Sequence, residues 1–251
     1  MAAVVNLVPV RGLPVIQPGD DLAAIVVRHL AGPVQPNDIF VVAQKVVSRA
    51  ENRLVRLADV EPSRRAVELA PQAQKDPRLV ELILQDSKEI LRVHEGVLIV
   101  EQRSGFICAN AGIDRSNVPP GSGEVAALLP EDPDGSARRL ADGIHQLTGQ
   151  SVAVIINDSH GRPWREGSVG VAIGLSGLRP LKDERGKRDL FGYRLQTSVI
   201  GLADEIASAA SLLMGQTDEA IPVVIVRGLE YETGPGSAGE LLRPRERDLF
   251  R

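Results

Sequence analysis

Val152-Ala153-Val154-Ile155-Ile156-Asn157-Asp158-Ser159-His160-Gly161-Arg162-Pro163-Trp164-Arg165 opens with five consecutive apolar residues and then turns polar. The apolar run is short and rich in β-branched side chains, so it reads as a buried strand over 152–156, with Asn157-Asp158-Ser159 as the acidic turn at its end. A second stretch has the same form: Phe106-Ile107-Cys108-Ala109-Asn110-Ala111-Gly112-Ile113-Asp114-Arg115-Ser116-Asn117. Carboxylates at strand ends beside arginines suggest a metal and phosphate site. Mg²⁺ and Mn²⁺ take hard oxygen ligands from one or two carboxylates, and substrate phosphates and waters complete the shell. Asp114, Asp158 and Ser159 offer such oxygens, and the guanidinium forks of Arg162 and Arg165 can hold phosphate or carboxylate oxygens beside them. The plainer alternative is that Asp158 and Ser159 close a turn or cap a helix.

Working outward, helical and extended patterns alternate without strict βαβ regularity. Gly19-Asp20 precedes a helix with Leu22, Ile25, Val26 and His29 inward, and 38–43 reads as a buried strand ending at Gln44 and Lys45. Ser63 caps a helix through Leu69, and Asp76-Pro77 opens another with Leu79, Leu82 and Ile83 at helical spacing. Segments 97–100 and 105–109 read as paired strands. Asp132-Pro133-Asp134 starts a helix with Ala137, Leu140, Ile144 and Leu147 on one face and a stop at Gly149. Further strands are expected over 167–177, 195–200 and 222–226. A helix over 204–214 turns Ile206, Ala209, Ala210 and Leu213 inward and ends at Gly215. The tail from Glu230 onward reads as peripheral. The pattern is α+β or mixed α/β with short connections.

Composition narrows the function classes. At 251 residues and 43% hydrophobic, the chain can bury a substantial core. Its net charge of −4 and 3% aromatics give no general attraction to nucleic acid and few platforms for stacking bases. No apolar stretch approaches the roughly 20 residues that a membrane helix needs, and the N-terminus lacks a signal pattern, so the cytoplasm is the expected location. The single cysteine excludes an internal disulfide or a multi-thiolate zinc site, and Cys108 reads as a small buried hydrophobe.

Some motifs mislead. Gly234-Pro235-Gly236-Ser237-Ala238-Gly239 matches the dinucleotide fingerprint, but too little chain follows to complete a βαβ unit. Asn157-Asp158-Ser159 matches a glycosylation acceptor in a chain with no signal peptide. There is no P-loop and no paired-histidine zinc motif; of the four histidines, His160 alone lies near the acidic turn. The charged run 182–189 reads as a solvated loop, or as a clamp if it folds over the acidic site.

Taken together, several segments resemble one family in order and spacing. They are Gly12-Leu13-Pro14, Pro18-Gly19-Asp20-Asp21-Leu22, Gln44-Lys45-Val46-Val47-Ser48, Asn110-Ala111-Gly112-Ile113-Asp114 with Ser116-Asn117, Asn157-Asp158-Ser159 with Gly161-Arg162, Arg188-Asp189-Leu190-Phe191-Gly192, Ala203-Asp204-Glu205 and Leu213-Met214-Gly215. The family they resemble is the GTP-dependent coenzyme F420:L-glutamate ligases, the gamma-glutamyl ligases of the deazaflavin coenzyme. The likeness spans nearly the whole chain. It implies one module over 1–251 in the stand-alone form, since some relatives are fused to a nitroreductase-like domain for which this length leaves no room. It also implies an α+β fold, with mixed or antiparallel sheets and packed helices in two intimately associated subdomains, and a homodimer.

The resemblance further implies two divalent metals (magnesium or manganese) per active site. Asp114 and Asp158 match the ligands of the first, Ser159 and Gln216 those of the second; a monovalent cation such as potassium is a further expectation. Gln216 keeps an oxygen donor where glutamate also occurs, without its full charge. Positions matching the GTP site are Leu13, Pro14, Val15, Ile16, Gln44, Lys45, Arg49, Asn117, Leu213, Met214, Gly215, Gln216, Thr217, Asp218, Glu219 and Ala220; Arg49 stands where lysine is common. The implied reaction joins L-glutamate to the deazaflavin precursor through an acyl phosphate, then extends the tail at the γ-carboxylate. Arg162, Arg165, Lys182 and Arg185 are the candidates for holding the anionic acceptor or the incoming glutamate. Competing readings are a carboxylate–amine ligase acting on another acid, a non-catalytic nucleotide- or deazaflavin-binding module, and a metal phosphohydrolase.

Overall fold

The computed structural model describes residues 4–115 and 124–249. In chain order the elements are β1 (Asn6–Val10), α1 (Leu22–Arg28), β2 (Ile39–Ala43), α2 (Gln44–Ala50), β3 (Leu54–Arg56), α3 (Arg64–Ala73), α4 (Pro77–Gln85), β4 (Ser87–His94), β5 (Val97–Gln102), β6 (Ile107–Ala109), β7 (Val125–Ala127), α5 (Pro133–Thr148), β8 (Ala153–Arg162), β9 (Arg165–Ser176), β10 (Lys182–Asp183), β11 (Val199–Ile200), α6 (Leu202–Met214) and β12 (Val223–Arg227). The architecture is α+β. Among the described residues no helix is long and apolar enough to cross a membrane.

A five-stranded sheet in the order β1-β12-β2-β8-β9 carries the fold, antiparallel except for the β2–β8 pair. Strand residues alternate between its two faces. Phe40, Val42, Val154 and Ile156 pack with Val26 of α1 and Leu140 and Ile144 of α5. Ile39, Val41, Ala153 and Ile155 pack with Ala203, Ile206 and Ala210 of α6. Because both faces are covered, β2 and the first half of β8 read as unbroken apolar runs. A third core, with Leu57, Ile83, Leu98 and Val100 fully buried, joins α3 and α4 to the β4-β5-β6 sheet.

Local signals account for most boundaries. Asp132 accepts from Gly135 N at 2.9 Å, Pro133 occupies the first helical position and Gly149 closes α5 at φ 71°, as the sequence signals require. Ser63 and Asp76 cap α3 and α4 through their side-chain oxygens. Helix α6 lies close on β9 because Gly170 has no side chain: a Cβ there would stand 2.6 Å from the Ala207 carbonyl oxygen.

Other expectations need correction. The run 152–156 does not end in a turn: β8 continues through Arg162, and Asn157, Asp158, Ser159 and His160 pair with Ala172, Val171, Gly170 and Val169. The long partner strand β9 overrides the turn propensity of these residues, and the turn falls at Pro163-Trp164. Within 195–200 only Val199–Ile200 forms a strand. Leu147 is 53% exposed because the buried face of α5 runs through Ala137, Leu140 and Ile144. Ala209 and Leu213 are half-buried, whereas Ala203, Ala207 and Met214 complete the buried face of α6. The C-terminal tail is docked in places: Ala238 N donates to Asp134 Oδ1 at 3.0 Å, and Tyr231 and Leu241 pack on the α6 side of the sheet.

One buried and one half-buried acid give tests of this fold. Asp38, 1% exposed, accepts from two of the three Arg227 guanidinium nitrogens, Nε at 2.8 Å and Nη2 at 2.7 Å. Arg227→Met strands that charge and is expected to cost about 3 kcal/mol in urea unfolding; an unchanged midpoint would refute the pair's role. Burial pushes the Asp204 carboxyl up, opposed by the Ala172 N–H that donates to it at 2.9 Å. An acid raised in the fold stabilises below its unfolded value and loses that contribution as pH rises through the folded value. Asp204→Asn, which keeps the acceptor, is therefore expected to gain stability over the parent as pH climbs from 4 to 7, read from paired thermal melts.

Candidate active site

The site follows from where β2 stops. Strand β2 runs parallel to β8 as far as the Ala43–Asn157 pair, then turns directly into α2. Strand β8 goes on alone on that side, so Asp158 and Ser159 lie beyond the end of their neighbour. A space beside strand ends is the usual ligand position in sheets with parallel pairs. The sheet order brings other segments to the same end: the exit of β1, the entrance of β12 and the loop leaving α6, with Ala43 N donating to Pro222 O at 2.8 Å.

A cleft of about 390 Å³ opens there. It is lined by Leu13, Pro14, Val15 and Ile16 after β1, and by Gln44, Lys45, Val46 and Arg49 of α2. Asn157, Asp158 and Ser159 of β8 form another part of its wall, and Met214, Gly215, Gln216, Thr217, Asp218 and Ala220 line it after α6. The remaining walls are apolar and include Leu54, Ala127, Ile221 and Pro222. Gly215 is required at the head of the last loop: φ is 67°, and a Cβ would stand 1.9 Å from Glu219 Cδ. Glu219 instead folds back, its Oε2 accepting from Thr217 N at 2.9 Å, which pulls its carboxylate below the usual range.

Every candidate metal-binding side chain here is held by a neighbour. Asp114, in the segment after β6, pairs with Lys45 Nζ at 2.7 Å, which ties it to the cleft wall. Asp158 and His160, two apart on one face of β8, meet at 3.0 Å, and Phe106 packs on the His160 ring at a 5.3 Å centroid separation. On the opposite face Gln216 Nε2 donates to Ser159 Oγ at 2.8 Å, and Asn157 Nδ2 reaches Met214 Sδ at 3.5 Å. Asn157 Oδ1 is buried with no hydrogen-bond partner. Rotating the Gln216 amide by half a turn would exchange its NH₂ for an oxygen beside Ser159. Among the described residues no three His, Cys, Asp or Glu side chains gather as a metal cage. Asp158, Ser159 and Gln216 line the cleft, and Asp114 is held by Lys45 outside its lining; these oxygens are of the kind that hold hard cations whose shells substrate oxygens and water complete.

Several expected contacts do not reach the cleft. Leu213 is half-buried against the α6-side core and Glu219 contacts its own loop, so neither lines it. Arg162 and Arg165 sit at the end of the β8–β9 hairpin. The charged run does not close over the site: Lys182 pairs with Glu184 at 3.0 Å, and Arg185 Nε donates to Asp183 at 2.9 Å. Asn117 lies outside the described residues. Asn157, Ile221 and Pro222 were not expected; the first sits next to Asp158, and the other two follow the α6 exit loop.

Comparison with known proteins identifies the family. A sequence model described as F420-0:Gamma-glutamyl ligase matches residues 12–228. The chain is 46% identical over 252 residues to the coenzyme F420:L-glutamate ligase of Methanothermobacter thermautotrophicus, an alignment covering 98% of this chain and 99% of that one. It is 48% identical over 240 residues to the coenzyme F420:L-glutamate ligase of Methanopyrus kandleri, covering 94% and 93%. For the Methanocaldococcus jannaschii protein of the same name the identity is 42% over 241 residues, covering 95% and 94%. The chain belongs to the F420-0:gamma-glutamyl ligase family.

Cys108 lies near this site but is poorly suited to chemistry. Burial, and secondarily the Asp158 carboxylate, push its thiol up to about 12. At pH 8 almost no thiolate forms, so iodoacetamide is expected to label Cys108 only after denaturation. Rapid labelling of the native protein would contradict that burial.

Proposed function

We propose that this chain is a GTP-dependent ligase that joins L-glutamate to the carboxylate of the deazaflavin coenzyme F420 precursor, and then to the γ-carboxylate of the glutamate just added. Family membership and the names of the relatives support the ligation. The observation that carries the rest is the single cleft in which two apolar-walled loops, two cationic side chains of α2 and the β8 oxygens meet.

Making an amide in water needs an activated acid. The acceptor carboxylate oxygen attacks the γ-phosphorus of GTP, the bond to the β-phosphate bridging oxygen breaks, and GDP leaves. The α-amine of glutamate then attacks the acyl carbon, phosphate departs, and the amine gives up a proton. Lys45 and Arg49 suit the triphosphate charge, and Leu13, Val15 and Ile16 suit the base. Asp114 and Asp158, with Ser159 and Gln216, have the oxygens to hold two magnesium or manganese ions. Bound there, such ions would screen the phosphate charge during transfer. His160 and Lys45 keep the two carboxylates oriented, and the apolar cleft walls limit water that would hydrolyse the acyl phosphate.

The chain is further proposed to work in the cytoplasm as a homodimer. Leu190 and Phe191 are 97% and 96% exposed, with Tyr193 beside them, an apolar tip that a second copy would cover.

The deciding experiment is phosphate release from GTP with divalent metal and precursor, with and without L-glutamate, read beside the product mass. Glutamate-dependent release with added glutamyl mass is expected; release without glutamate and an unchanged precursor would mean a phosphohydrolase. Asp158→Ala is expected to keep the parent's circular dichroism and lose turnover by about 10²-fold or more. Wild-type turnover would remove Asp158 from the metal ligands.

A further inference from the structure

We propose that the tip of the β8–β9 hairpin is the acceptor-binding finger, in which Trp164 stacks on the planar ring of the acceptor and Arg162 takes its phosphodiester. This assignment rests on the ligase reading above and specifies how that site holds one substrate.

Trp164 is the only tryptophan of the chain and is 86% exposed. Its φ is 63°, and Pro163 precedes it in the two-residue turn between the paired Arg162 and Arg165. Proline at the first central position and positive φ at the second describe a turn whose second position ordinarily takes glycine or asparagine. A bulky side chain held there is strained, and with most of its surface in solvent the ring is not part of a hydrophobic core. Strain of this kind marks ligand clamps more often than scaffolds.

Arg162 gives an independent observation. Its Nη2 donates to the Glu166 carbonyl at 2.9 Å, while its Nε is buried with no partner. An unsatisfied buried guanidinium donor is costly, and an anion satisfies it through a charge-assisted bond. A register shift between Gly161 and Arg162 twists the tip out of the regular ladder, a device often found beside binding sites.

The order of groups along β8 fits the order of groups in the acceptor. At about 3.3 Å per strand residue, Arg162 lies roughly 10 Å and Trp164 roughly 15 Å from Ser159. An acceptor with its reacting carboxylate at Asp158 and Ser159 would lay its phosphodiester at Arg162 and its ring at Trp164. Arg165, on the paired strand, adds a second cation beside the phosphate.

The lone tryptophan makes the test direct. Titration of the full chain with the deazaflavin precursor, corrected for absorption with free tryptophan, is expected to quench more than half of the Trp164 emission; GTP or L-glutamate alone should leave it unchanged. Trp164→Ala is expected to raise the acceptor KM about tenfold, as loss of one stacked ring does, with the KM for GTP unaltered and partial recovery in Trp164→Phe. Precursor binding seen by polarisation of its own fluorescence, with tryptophan emission unmoved, would overturn the finger and leave the ligase reading standing. So would quenching by GTP alone, or a wild-type acceptor KM in Trp164→Ala. Failure of the precursor to bind at all would overturn both.

Discussion

The parallel pairing of β2 with β8, and its early end, is the constraint on which the rest depends. Both strands are buried over the paired stretch as far as Val42 and Asn157, so register and depth are fixed by packing on two faces. One strand then leaves as α2 while the other continues with only β9 beside it. Everything polar in the cleft is positioned relative to that step. Lys45 and Arg49 come from the chain that departs, Asp158 and Ser159 from the chain that stays, and the antiparallel neighbour β12 brings the α6 exit loop to the same edge. A rigid sheet thus holds the reacting end of the site while loops supply the walls, a division that suits a reaction needing both fixed geometry and substrate entry.

The electrostatics follow the same plan. Lys45 on Asp114 and His160 on Asp158 each set a nitrogen donor against an oxygen suited to a cation. A carboxylate cluster without such partners would repel itself and weaken the fold. Both partners come from elements that the sheet fixes, α2 directly after β2 and β8 itself.

Much of the fold was legible because local signals agreed with one another. Asp132-Pro133 and Gly149 bracket α5, and the apolar runs of β2 and β12 admit little but buried strands. Strand β4 was missed because its half-exposed residues show no clean alternation. The end of β8 runs against its sequence signal because Asn-Asp-Ser-His-Gly carries turn propensity, and only pairing with the 12-residue strand that follows the Pro163-Trp164 turn overrides it. The candidate site was legible in its parts through likeness to a family rather than through spacing, since Leu13, Lys45, Asp158 and Gln216 meet only by sheet order. Ile221 and Pro222 carry no chemical signal of their own, and nothing in the sequence around Arg162 and Arg165 shows that they stand at the tip of a hairpin rather than in the cleft wall.

Buried polar atoms without partners gather on one strand. Among the described residues the buried side-chain polar atoms without partners are Asp86 Oδ2, Asn157 Oδ1 and Arg162 Nε, and two of these lie on β8 from the point where β2 ends. The strained Trp164 follows on the same hairpin. A strand built only for stability would have satisfied these groups or replaced them, as the first half of β8 does with valine and isoleucine. A sequence that meets packing and hydrogen-bonding rules up to Ile156 and breaks them repeatedly over the next eight residues is being held to a second requirement there. The well-packed half of the hairpin supplies the rigidity that lets its other half carry an unsatisfied acceptor, an unsatisfied donor and a strained ring toward a ligand.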